Sequence, residues 1–167
     1  MVGKLVKELE KSNIFPTEKV GHDFVDAWMS QPGINVCRTV YHGSANFVGD
    51  QADRLMMLIE SLEDLLESEF QGDGEKLITV RLYMRCFKEF RAVTKACFGT
   101  KALDPTYEQL IADFMAKVRS LEWKKIPLKF HLVERHIAEF LKLTGEKWAL
   151  GHYSEQVEQT WIETDFL

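Results

Sequence analysis

Apolar residues recur at intervals of three and four along most of the chain, the spacing that gathers them on one face of an α-helix. Val2, Leu5, Val6 and Leu9 set this pattern first, and Asn13, Phe15 and Pro16 end it. A second helix is expected from Thr17, with Val20, Phe24, Ala27 and Trp28 on one face and Pro32-Gly33 as its stop. Asp50 reads as the N-cap of one long helix to about Phe70, striped by Leu55, Leu58, Ile59, Leu62, Leu65 and Leu66. Glu60, Glu63, Asp64, Glu67 and Glu69 cover its other side, and Gly72-Asp73-Gly74 ends it.

The widest apolar face belongs to a helix from about Glu75 to Phe98, with Gly99 at the C′ position, where a left-handed residue closes a helix. Asp104-Pro105 is an N-cap followed by Pro at N1 and opens the next helix. The helix from about Leu128 to Leu143 is expected to bury Phe130, Val133, Ile137, Phe140 and Leu141, with Gly145 as its stop. Ser154 reads as the N-cap of a last helix. Residues 33–49 carry no helical period. Ile34–Tyr41 has strand character but no second strand to pair with, so an extended ordered loop is expected there. The pattern thus predicts an all-α fold of six to seven helices in a single domain spanning 1–167, a whole protein or a fragment of a longer one.

Composition narrows the functions open to such a fold. Apolar residues make up 46% of the 167-residue chain and charged residues 28%, enough to form a core without staples. The net charge of −5 runs against a general polyanion binder, so nucleic-acid contact would need a local basic patch. Lys124, Lys125, Lys129 and Arg135 form the densest such group, which is otherwise a solvated face. Three cysteines without a close pair are neither a disulfide framework nor a zinc motif, which suits an intracellular compartment, cytoplasm or nucleus. No apolar run reaches the ~20 residues of a membrane span, and no membrane partner is expected.

Candidate chemistry is sparse. His131 and His136 lie five apart on one predicted helix, about 140° around it, whereas a shared metal wants i, i+4. Glu155 and Glu158 share a face at i, i+3 and would hold Mg or Mn only with a third acid such as Asp50 or Asp53; the alternative is a solvated acidic face. Cys37 with His42, or Cys97 with any histidine, is a Cys–His combination whose distance the sequence does not fix. Trp148 and Trp161 stand outside the clearest stripes, with His152 and Tyr153 nearby, and are candidate partner anchors or caps on the core. No cofactor is implied.

Three ordered motifs carry a resemblance. They are Tyr41-His42-Gly43 with Phe47 and Gly49-Asp50; Cys97-Phe98-Gly99 with Leu103-Asp104-Pro105; and Lys129-Phe130-His131, His136, Glu139-Phe140, then Leu150-Gly151 and Tyr153-Ser154-Glu155-Gln156 with Glu158. Over residues 41–161 the chain resembles a mobile-element-derived, transposase-related family of invertebrate genomes. The resemblance implies that Glu158 corresponds to an acidic residue of a metal-dependent site. It also shows a departure, because the family's closing His is Trp161 here. The leading expectation is a non-catalytic helical module that binds a protein partner or itself. The alternatives are part of a transposase-like enzyme using Glu158, and a nucleic-acid contact module using the basic group.

Overall fold

In a computed structural model, which describes residues 1–41, 44–47 and 49–153, the backbone is mostly helical. The elements are α1 (Val2–Lys11), α2 (Glu18–Met29), β1 (Thr39–Tyr41), β2 (Ser44–Asn46), α3 (Asp50–Met57), α4 (Ile59–Glu69), α5 (Gly74–Cys97), α6 (Tyr107–Ser120), α7 (Leu128–His131), a π-helical turn (Leu132–His136) and α8 (Ile137–Leu143). They form two compact units, 1–88 and 89–167, and α5 supplies residues to both.

In the first unit α1 buries Val2, Leu5, Val6 and Leu9, as its spacing requires. Thr17 caps α2 by accepting the Val20 N–H at 3.2 Å. The buried face of α2 differs from the expected one: Gly21, Val25, Trp28 and Met29 are buried, while Val20 and Ala27 are exposed. Gly21 is the physical reason. A Cβ there would lie 2.8 Å from Glu10 Cα and from Phe15 Cδ2, and closer still to the Glu10 carbonyl oxygen. The helix is rotated so that its only side-chain-free position faces α1.

The expected helix from Asp50 is broken in two. Leu58 leaves α geometry, and its N–H is shared between the carbonyls of Arg54 (3.1 Å) and Leu55 (3.2 Å), a three-centre arrangement common at helix ends. Gly49, at φ +54°, precedes α3, so Asp50 is its first residue and not its cap. The irregular stretch before it contains a pairing the sequence reading lacked: β1 and β2 form an antiparallel hairpin, Thr39 opposite Asn46. The Arg54 guanidinium donates to the Ile34 and Gly33 carbonyls and tethers this stretch to α3.

The second unit has an aromatic centre. Phe114 lies between Phe90 (5.2 Å between ring centroids) and Phe130 (5.8 Å), and Trp123 meets Phe130 edge-on. Asp104 and Pro105 are not the cap and first residue of α6, which starts at Tyr107 behind Thr106; Asp104 instead accepts the Thr106 N–H (2.8 Å) and hydroxyl (2.7 Å) in the turn before it. Those two bonds hold its carboxyl below the usual carboxylate range, the hydroxyl contributing most. Gly145, at φ +85°, closes α8: the Glu146 N–H reaches the Leu141 carbonyl and the Gly145 N–H that of Lys142, a Schellman end. Gly99, in contrast, has no left-handed backbone. Its carbonyl instead accepts the Gly151 N–H at 3.1 Å.

Candidate interaction face

The turn at Gly145 delivers Glu146 to the Tyr107 hydroxyl, which donates to its Oε1 at 2.6 Å. Tyr107 is buried, and burial together with the Glu146 carboxylate pushes its phenol above its ordinary value of 10.0. From that anchor residues 147–151 run alongside 99–103. Leu103 N–H bonds the Lys147 carbonyl, and Ala149 N–H bonds that of Lys101. Gly151 fits because a Cβ there would meet the Phe98 and Gly99 carbonyl oxygens at 2.9 Å.

This placement makes a continuous aromatic ladder from three of the sequence candidates. Trp148 stacks on His152 at 4.7 Å, His152 meets Tyr153 edge-on, and Tyr153 meets Phe140 edge-on at 5.6 Å. Lys147 lies over the Trp148 ring, and the Tyr153 hydroxyl donates to the Thr144 carbonyl. Trp148, His152 and Tyr153 are half-buried. Each therefore packs against the unit while staying partly open to solvent.

Phe140 links the ladder to a second feature. The Ile137 N–H bonds the Leu132 carbonyl five residues back, where an α-helix would use the residue four back. One extra residue in the turn shifts everything after it by about 100°. In an unbroken helix Phe140 would lie about 20° from the buried Val133. The shift places it between Leu128 and Leu132 instead, and Leu143 joins them. These four are 72% (Leu128), 43% (Leu132), 42% (Phe140) and 87% (Leu143) exposed. The expected burial of Phe140 fails for this reason. Ile137 is only half-buried, while Leu141 is fully buried.

Lys124, Lys125 and Lys129 are exposed at the Leu128 end of the stripe, and Arg135 is exposed midway along it, in the π turn. None has a carboxylate within ion-pairing distance among the described residues. The other bases nearby are paired: Arg119 with Glu134, and Lys142 with Glu108 at 3.0 Å. Glu108 and Glu134 border a groove of about 130 Å³ floored by Ile111, Ala112 and Ala138.

The remaining candidates do not assemble. His131 faces Glu134 at 4.0 Å and His136 faces Glu139 at 3.1 Å, and both are exposed. Among the described residues no three His, Cys, Asp or Glu side chains converge as a metal site would need. Cys97 is buried, and burial with the nearby Asp104 pushes its thiol up to about 11, the opposite of an activated nucleophile. Cys37 is exposed and bound to Gln51 Oε1 through its N–H at 3.0 Å. His42, Ser154, Glu155, Glu158 and Trp161 lie outside the described residues, but the backbone is already helical at 150–153, ahead of the start expected at Ser154.

One charged cluster escaped sequence reasoning. Arg38 bonds both Glu10, which is 2% exposed, and Asp26 (2.8 Å). His22 stands against the same two acids, at 3.5 and 2.9 Å. Glu10 lies four residues after Val6 on the buried side of α1, and that was the one available signal. The cluster borders a groove of about 260 Å³ that includes Met29, Val36 and Cys37. No helix among the described residues is long and apolar enough to cross a membrane. No family model, curated protein or solved structure matches the chain, so its own residues are the whole basis for reading the site.

Proposed function

We propose that this chain is a non-catalytic protein-interaction module, of the mobile-element ancestry that its motifs resemble, and that its working surface is the face just described. The observation that carries this reading is the exposed line Leu128, Leu132, Phe140 and Leu143. Large apolar side chains left in water along one helix face cost solubility and mark interaction sites. The half-buried Trp148, His152 and Tyr153 extend the line with the residue types that anchor interfaces.

The test is affinity capture by the full chain from a lysate of the organism that encodes it, beside a Leu132→Ser/Leu143→Ser variant. Both positions are exposed, so circular dichroism should show an unchanged fold. Partners retained by the wild type and lost by the variant are expected. Identical capture by the two proteins would sink the assignment of this face.

A further inference from the structure

We propose that the face receives an acidic amphipathic helix of a partner protein; this inference rests on the interaction reading above and names the occupant. The shape argues for a helix. Leu128 to Leu143 is a line of about 22 Å at 1.5 Å per residue, matching about four turns of a second helix laid along it. A single apolar row on one helix is met by a row at three- and four-residue spacing on another.

The charge argues for carboxylates on the flanks of that helix. The chain is acidic overall, yet Lys124, Lys125 and Lys129 stand at the Leu128 end of the stripe and Arg135 midway along it, none with a described carboxylate within ion-pairing distance. A partner bearing Glu or Asp beside its apolar row would neutralise them, and complementary charge speeds docking and fixes register. A second copy fits less well, because the acids it would bring along this stripe are already engaged, Glu134 by Arg119 and Glu139 by His136 at 3.1 Å. A nucleic acid fits less well, because the most exposed side chains of the face are the aliphatic Leu128 and Leu143, while Trp148, His152 and Tyr153 are half-buried and packed ring against ring, where bases want open flat faces.

The experiment uses a labelled 18-residue peptide with Leu at three- and four-residue spacing and Glu elsewhere, and a control with Lys replacing every Glu. Fluorescence anisotropy with the full chain should show micromolar binding of the Glu peptide, weakening as salt rises. The Lys peptide should bind at least tenfold more weakly. Leu132→Ser/Leu143→Ser should lower affinity at least tenfold, and Lys129→Glu/Arg135→Glu should do the same while leaving the fold intact.

Equal binding of the two peptides, or no binding of the Glu peptide, overturns the proposal. So does tighter, stripe-dependent binding to single-stranded DNA or phosphatidylserine vesicles. A dimer in light scattering that Leu143→Ser dissolves would overturn it too, in favour of a second copy. If the Glu peptide fails while lysate capture still depends on Leu132 and Leu143, the acidic helix falls and the interaction reading stands.

Discussion

The Ile137 N–H donates to the Leu132 carbonyl, five residues back, and this one bond sets which side of α8 meets water. The π turn behaves as a single inserted residue between two α-helical segments of fixed facing. Val133 within it and Leu141 after it are both buried, and Leu132 and Phe140 are both exposed.

Deleting one residue from that turn should therefore be tolerated. With the exposed Arg135 removed, α7 and α8 become one regular helix and every flanking side chain keeps its facing. Stability should stay within about 1 kcal/mol of wild type. Removing the exposed Ala116 from the uninterrupted α6 should instead rotate Val118 off its buried face and cost several times more. Urea denaturation of the two deletions decides it. Equal losses would mean that the turn is not an insertion.

Gly21→Ala tests the contact of α1 and α2. Helix propensity alone favours Ala by about 1 kcal/mol in a helix interior. The new methyl would meet the Glu10 backbone, which is not the far end of a flexible side chain and has nowhere to go. Overpacking of this kind costs about 1–3 kcal/mol, so the net effect should be destabilising. A raised urea midpoint for the variant would show that the helices separate without cost.

Much of the helical layout follows from the spacing of apolar residues, because the core selects one face at a time. Leu5, Val6, Leu9, Ile59, Leu62, Leu66, Phe114 and Val118 are all buried as their intervals require. The failures have a common cause: a local event shifted the phase that the intervals assume. The π turn moves Phe140 to the surface, Leu58 interrupts the acidic helix, and Gly21 turns α2 toward α1. None is announced by a proline or a glycine pair at the break. The face was legible only in part. Trp148, His152 and Tyr153 stood out by falling off the stripes, and the basic group by its density. That they join through Phe140 depends on the turn and on residues 147–151 running beside 99–103, a long-range pairing that no local pattern encodes.

Alkaline pH should weaken the fold through Cys97 and Tyr107. Both are acids whose neutral forms the folded state favours: the thiol is pushed up from 9.0 to about 11, and the phenol is raised above 10.0. The unfolded chain loses these protons first. Their contribution is intact below pH 9 and falls as pH rises, Cys97 first and Tyr107 above pH 10. Each proton retained only by the folded state removes about 1.4 kcal/mol per pH unit. Urea midpoints between pH 8 and 10.5 should fall more steeply in the wild type than in Cys97→Ala/Tyr107→Phe. Parallel curves would show that other groups carry the alkaline loss.

Arg38→Ala should be among the most damaging single changes in the first unit. Arg38 is the guanidinium bound to the buried Glu10 carboxylate, and it also holds Asp26 and covers the Phe47 ring at 5.6 Å. Without it the one cation left beside Glu10 among the described residues is His22, with Nδ1 at 3.5 Å. Stranding a buried charge costs about 3–5 kcal/mol, whereas exchanging both members of the pair for apolar residues is often close to neutral. Glu10→Leu/Arg38→Met should therefore recover most of what Arg38→Ala loses. A double variant as unstable as Arg38→Ala would show that Arg38 matters for ordering residues 34–38, with Glu10 contributing little. Urea midpoints of the two variants beside the wild type separate these outcomes.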